Sequence, residues 1–434
     1  MRSVSMLFLA ALSAVISGCG STNSTTFRSM SQAYREVVET YGNDNILINI
    51  ARASQKMPVT FLDIPSIMGT GNVSATAGLS ATVYSANPGS FSGFLQPYSG
   101  AVGLANYIPS ASLNVSGGYT FTQSSLDNAT FMKPFLSAVQ PEIVGYLTTN
   151  QAAPKSILYS LVMRSIDIVN DQREVVTSFV NDPSSKDYLR FQRALYIMVA
   201  AGLTAEPSFV KMPMSPIVDE ATARASFGML TGALAAGVTL EEVSQPGRPK
   251  QFRLIRLMPD WRMCLNKTDA EALFGKALSP ENFCTQSFKA TNASRTATEL
   301  QALLSDGSNK EMKNLMIKVN FRSTRNVFDF LGEIVTMQNA ENPNIVTIFN
   351  PELLNASANA KVSDFPPVPL FVMQKNKSVG KPLMSLSYRG DTYTVPDHGA
   401  SESFTKDVIV LVSQLLTLNK IAGSIPASPS VLVK

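Results

Sequence analysis

NVSATAGLSATV (residues 72–83) and SASLNVSGGYTFT (residues 110–122) alternate apolar and polar positions from end to end. Val73, Ala75, Ala77, Leu79, Ala81 and Val83 carry the apolar phase of the first stretch. Ala111, Leu113, Val115, Tyr119 and Phe121 carry that of the second, with Gly117 in step. A period of two marks a β-strand with one apolar and one polar face, because successive Cβ atoms leave a strand on opposite sides. Both stretches lie within residues 64–126, which contain no Asp, Glu, Lys or Arg. In a chain that is 16% charged, such a gap arises by chance about once in 10⁴ to 10⁵ windows.

Strands of this length, at ~3.3 Å per residue and ~45° tilt, just cross the hydrocarbon core of a bilayer. Tyr84, Phe91, Phe94, Tyr98, Tyr107, Tyr119 and Phe121 cluster toward the strand ends, where outer-membrane barrels carry aromatic girdles. The apolar phases are therefore read as membrane-facing. Two strands cannot close a barrel, and a lone hairpin leaves unpaired edges in lipid. A spanning hairpin thus requires a ring of identical subunits, at least about four if the smallest barrels have about eight strands. Its Ser/Thr/Asn face then lines a water-filled lumen. The competing reading is a soluble sandwich, or a sheet packed under helices, where alternation is equally ordinary. An Ala-rich face is thin for lipid contact, but a soluble strand usually carries Lys or Glu on its wet side.

The amino terminus supports an envelope location. Met1 and Arg2 precede an apolar run, Met6 to Ile16, which is too short for a membrane helix and reads as a signal-peptide core. Ile16-Ser17-Gly18-Cys19 resembles a bacterial lipobox, which implies cleavage before Cys19 and acylation of its thiol. Gly20 follows in place of an Asp retention signal, so the resemblance implies the outer membrane, with the bulk of the chain on the periplasmic side. Residues 1–18 are then signal peptide and 19–26 a lipidated polar tether.

Composition excludes several classes. Net charge is +4 and no basic patch with interleaved aromatics appears, so nucleic acid is not an expected partner. The other cysteines, Cys264 and Cys284, form an even pair that reads as a disulfide in an oxidising compartment, with two buried thiols as the alternative. The single histidine, His398, is unaccompanied by a GxSxG elbow. A zinc site is out of reach unless Cys264, Cys284 and His398 converge. Gly69-Thr70-Gly71 lacks the third glycine of a dinucleotide loop, and no Walker pattern exists. No enzyme, no cofactor and no metal are expected.

Periodicity organises the rest. Residues 27–64 read as an N-terminal helical segment ending at Pro58, and Val59 to Ile64 as a short strand leading into the charge-free hairpin, residues 65–126. Residues 127–250 read as a helical region, with Lys155 to Val180, Ser184 to Ala201 and Glu220 to Ala236 in helical spacing. Residues 251–434 read as an α+β periplasmic domain. It contains strands at Gln251 to Met258, Asn314 to Phe321 and Leu370 to Met373, and helices at Asp269 to Leu273, Ala297 to Leu304 and Ser323 to Val335. A hairpin turns at Arg389-Gly390-Asp391, and a final helix, Glu402 to Leu418, is expected to cover the sheet. RGD is here ordinary turn chemistry. The predicted fold class is α+β: a lipid-anchored periplasmic domain with a helical middle, a C-terminal sheet-plus-helix, and one long β-hairpin able to join an oligomeric transmembrane β-barrel.

Three stretches carry a wider resemblance: residues 45–52 (NILINIAR), Phe321-Arg322-Ser323-Thr324 with Phe330-Leu331-Gly332, and Tyr388-Arg389-Gly390 with Tyr393. They resemble a group of proteobacterial outer-membrane lipoproteins, a likeness that brings no activity with it. The architecture is similar to multimeric lipoprotein pores such as the curli secretion channel, by analogy of architecture alone. The function expected is an oligomeric β-barrel pore or export-channel component, with homo-oligomers and envelope or secretion proteins as partners. The alternative is a monomeric periplasm-facing lipoprotein acting as scaffold or accessory factor.

Overall fold

The computed structural model describes residues 32, 35, 36, 38–81, 107–126, 128–150, 154–225, 237–243, 249–274, 277–286, 314–348, 367–377, 379–380, 382–399 and 402–420. The signal-peptide and tether readings, Cys19 included, lie outside them, as do the helix expected at Ala297 to Leu304 and the second half of that expected at Glu220 to Ala236. Two compact units are present. One is Leu62–Ser125; the other comprises the described residues up to Phe61 and from Leu126 onward.

The smaller unit is an antiparallel hairpin of β1 (Leu62–Ala81) and β2 (Tyr107–Ser125). At 20 and 19 residues the strands outrun the alternating stretches at their base. The extra length includes residues 66–71 and 123–125, where Gly69 and Gly71 and the Ser-rich end blur the alternation. Leu62 to Ile64, expected before the hairpin, belong to β1. One irregularity falls between Asp63 and Ser66, where Pro65 cannot donate to the ladder.

The larger unit opens with α1 (residues 38–54), which runs unbroken through Gly42-Asn43-Asp44. There follow α2 (Ala129–Leu136), α3 (Pro141–Asn150) and α4 (Lys155–Val162). Next come β3 (Met163–Val169), β4 (Val175–Val180), α5 (Tyr188–Ala200), β5 (Thr204–Pro213), β6 (Val218–Asp219), α6 (Glu220–Ala225), β7 (Val238–Glu242) and β8 (Gln251–Cys264). After α7 (Lys267–Phe274) and a 3-10 turn at Pro280–Asn282 come β9 (Met316–Phe321) and α8 (Thr324–Gln338). The chain then forms β10 (Thr347–Ile348), β11 (Val368–Pro369), β12 (Gln374–Lys375), β13 (Pro382–Tyr388), β14 (Asp391–Pro396) and α9 (Thr405–Asn419). The sheets are ordered β4-β3-β9, β5-β8-β6 with β7 also on β8, β12-β14-β13, and the pair β10-β11.

The fold is mixed helix and sheet, an α+β arrangement, but the middle is not helical throughout as expected. Lys155 to Val180 is helix only to Val162, then two strands. The side chains of Arg322 and Asn181 take up the carbonyls of Ser160 and Met163, and Arg322 also that of Leu161, at the end of α4. Once these last carbonyls are satisfied from outside, the helix ends there without local cost. Asn170 to Glu174 makes the turn, with Arg173 at φ 63°, and the β-branched Ile166, Ile168, Val175 and Val176 favour the flanking strands.

Leu370 to Met373 is not a strand. All four residues are buried, which an alternating strand with one wet face does not permit; ladder pairing occurs only on either side, in β11 and β12. The last helix lies on α2, α4 and α8 rather than on the β12-β14-β13 sheet. Its buried residues Val408, Ile409, Leu411, Val412 and Leu415 make a stripe broad enough for several helices. The Arg389-Gly390 turn is as read: both residues have positive φ, 53° and 86°, the geometry that suits a tight hairpin.

The core of this unit includes four rings. Phe61 lies 5.1 Å from Phe135, 5.2 Å from Phe328 and 5.9 Å from Phe131, centroid to centroid. The end of α1 also meets the β13-β14 hairpin and α8. Arg52 of α1 sits over the ring of Tyr388 at 5.9 Å, and Gln55 donates to the Tyr393 hydroxyl at 2.9 Å. Gly332 of α8 meets α1 so closely that an added Cβ stands 2.6 Å from the Ala53 carbonyl carbon and from the Ser54 nitrogen. Those are backbone atoms, which cannot swing aside. Gly332→Ala is therefore expected to lower stability by roughly 1–3 kcal/mol, read from urea melts. Unchanged melting shows that α1 and α8 can separate freely.

Candidate functional site

The hairpin register opposes the apolar phases directly. Val73 pairs with Val115, Ala75 with Leu113, Ala77 with Ala111, and Ala81 with Tyr107; Leu79 faces Pro109, and Tyr119 and Phe121 face Gly69 and Ile67. The polar phase pairs with itself, as in Asn72 with Ser116, Ser74 with Asn114 and Thr76 with Ser112. Directly opposed residues of an antiparallel pair lie on one side of the ladder. The membrane-facing set read from sequence therefore occupies one face in both strands. Val83 and the segment joining the strands lie outside the described residues.

Among the described residues neither outer edge of this hairpin is paired, which leaves a row of N–H and C=O groups along each. Proteins normally blunt such edges with Lys, Pro or short strands. From Ser66 to Ala81, β1 carries neither Pro nor charge. In β2 only Pro109, near one end, interrupts.

Cys264 and Cys284 are bonded to each other, with Cα atoms 5.0 Å apart. The Glu206 carboxylate lies within 4.8 Å of both sulfurs, but neither sulfur is a thiolate ligand while the bond stands. Glu206 is committed as well. Its Oε1 accepts from Arg262 at 2.8 and 3.1 Å, and Thr285 donates its N–H at 2.9 Å and its hydroxyl at 3.0 Å. Disulfide and carboxylate together pin residues 284–285 to the ends of β5 and β8. No sequence motif marks Glu206; buried acids are rare, and only the fold reveals this one.

Trp261, the only tryptophan of the chain, stands between two clefts. One, about 410 Å³, is lined mainly by Ile143, Gly145, Tyr146, Trp261 and Leu418, with Glu142 and Thr149 beside them. The other, about 630 Å³, mixes Thr148, Lys155, Ser208, Thr285 and Gln286 with Phe209 and Trp261. The indole lies against Gly145, where a Cβ stands 2.5 Å from the ring. The glycine in the middle of α3 thus makes the groove possible, despite its poor helix propensity.

Among the described residues Arg322 is the buried cation, 6% exposed. Its guanidinium donates to the carbonyls of Ser160, Leu161, Met163 and Asn181 and stacks on Phe330 at 3.9 Å. Burial pulls its pKa down to about 10. The Tyr188 phenol moves the other way: burial pushes it up to about 12, against weaker opposing effects of Gln192 and Arg322. Between pH 10 and 12 the folded chain keeps a proton on Tyr188 that the unfolded chain releases, so this contribution to stability falls as pH rises. Arg322 acts in the opposite sense and feels the Tyr188 charge, so the difference between wild type and Tyr188→Phe reads the phenol together with that coupling. Wild type is expected to lose roughly 2–3 kcal/mol relative to Tyr188→Phe across that window. Parallel stability curves contradict the assignment.

Compared with protein-family models, with curated proteins and with solved structures, the chain shows no match.

Proposed function

We propose that the chain is a subunit of an oligomeric outer-membrane β-barrel, a pore or export-channel component, to which each copy contributes one hairpin. The observation that carries this reading is the ladder of β1 and β2, free of charge from Ile64 onward and with its apolar phases opposed in register. A two-stranded hairpin is marginal in water by itself, and these strands have long edges without gatekeepers. At ~3.3 Å per residue and ~45° tilt, 20 residues rise about 46 Å, more than the ~30 Å hydrocarbon core. The excess length leaves part of the wall outside the membrane. At least about four copies are needed for an eight-stranded wall. The polar Ser/Thr/Asn phase faces the lumen, and the larger unit remains in the periplasm. Acylated Cys19 adds a lipid anchor, since two or more acyl chains hold a protein firmly.

The test is extraction of the lipidated protein in mild detergent, with mass by light scattering and shape by negative-stain imaging. Rings of several subunits support the barrel. A compact monomer in detergent and in vesicles removes it, and leaves a scaffold or accessory lipoprotein whose partner is found by crosslinking.

A further inference from the structure

The β5/β8 ribbon of the larger unit extends beyond its own packing. Near its far end Phe209 is 66% exposed, Val210 and Met212 each 49%, Leu257 42% and Met258 38%. The register puts Lys211 opposite Leu257 and Val210 opposite Met258. By the period of two, Phe209 and Leu257 share one face, and Val210, Met212 and Met258 the other. Each face thus exposes apolar side chains along this stretch, beside Lys211 on one face and Arg256 on the other, while Ile255 and Val238 toward the β7 side are buried.

The ribbon is not built for strand addition at its outer edge. Pro207, Pro213 and Pro259 fall in the pairs Pro207–Trp261, Pro213–Ile255 and Phe209–Pro259, which share one phase of the ladder. Proline cannot donate, so these are the non-hydrogen-bonded pairs, and the nitrogens of Pro207 and Pro213 lie on the free edge. Two donors are missing there, which leaves side-chain docking as the means of contact.

The same unit carries a receptor. The Trp261 groove, about 410 Å³, is mostly apolar and has room for a pair of large side chains. Glu142 stands exposed at its rim, and Arg256 stands exposed between the apolar residues of the ribbon. Neither has an ion-pair partner among the described residues. Two different patches of opposite charge are what a closed ring needs, since each member meets one neighbour with each patch.

We propose that the ribbon tip of one copy docks in the Trp261 groove of the next, with Arg256 meeting Glu142, as the periplasmic contact that orders the ring. This rests on the oligomeric reading above. The test uses the full lipidated chain in mild detergent, with mass measured against concentration. Arg256→Glu and Glu142→Arg are each expected to raise the concentration for half-assembly about tenfold or more, and the double exchange to restore it. Both side chains are exposed, so folding is not at stake. If wild type assembles and the single variants assemble equally well, or the double exchange does not recover, the ribbon contact is wrong and the hairpin reading stands. If wild type is monomeric in detergent and in vesicles, the hairpin reading itself fails. A monomer whose ribbon tip resists hydrogen exchange at every dilution has the tip covered by its own chain, which also overturns the proposal. Loss of vesicle binding by Arg256→Glu with assembly intact assigns the tip to a lipid surface and overturns it too.

Discussion

Leu79→Arg combined with Leu113→Arg is expected to remove the protein from the heat-resistant, membrane-inserted fraction while the larger unit still folds. The two leucines are the bulkiest aliphatic members of the apolar phase within residues 72–83 and 110–122. They share one phase of the ladder, four residues apart in register: Leu113 opposes Ala75 and Leu79 opposes Pro109. A cationic side chain on the lipid face of a barrel costs roughly 2–4 kcal/mol at mid-depth. Two per chain cost about 4–8 kcal/mol, and a ring of at least four chains multiplies that figure. The larger unit is compact without the hairpin, so the Cys264–Cys284 bond and cooperative melting are expected to survive. Arginines at Ser74 and Asn114, on the polar phase, are the control and should insert. If the leucine variant inserts as well as this control, the two faces have been assigned the wrong way round or the hairpin does not cross lipid.

The hairpin was legible because a period of two, held over a dozen residues in each strand, fixes both the element and its face. Its base was not, since Gly69, Gly71 and the Ser-rich residues 123–125 break the phase. Counting pointed to the disulfide over two free thiols, and Gly-Asp between two strands marked the Arg389-Gly390-Asp391 turn, though not the positive φ that Arg389 adopts. The middle of the chain failed for a different reason. Residues 155–162 and 163–169 are both largely buried, and a short buried run reads alike as helix or strand. What separates them at Val162 is Arg322, distant in sequence, on the end carbonyls of α4. The ribbon and groove left even less trace. Phe209, Met212 and Leu257 would be ordinary core positions by composition, and their exposure is a property of the sheet's reach. Gly145 reads as a weak point in a helix until Trp261 is seen against it.

Arg322→Met is expected to cost roughly 3–5 kcal/mol, a large share of the ~5–15 kcal/mol that holds a domain together. Trp261, the sole tryptophan, provides a fluorescence probe for the urea melt. An apolar replacement of a buried charge is often harmless when its partner is replaced with it. Here the partners are the main-chain carbonyls of Ser160, Leu161, Met163 and Asn181, and no substitution removes a carbonyl. Methionine fills part of the volume against Phe330 but leaves these acceptors short of donors in a site that is 6% exposed. Asn181 still donates to two of them, at 2.8 Å each, which keeps the loss below the sum of the lost bonds. Arg322→Lys keeps the charge, but a single ammonium group cannot span the α4 end and Asn181 while stacking on the ring, so an intermediate loss of about 2 kcal/mol is expected. If methionine melts within ~1 kcal/mol of wild type, the carbonyls find other donors, and α4 ends at Val162 for reasons local to β3. The order of the two variants is the sharper readout. Lysine above methionine means that the charge and its hydrogen bonds hold the junction; methionine above lysine means that packing on Phe330 does.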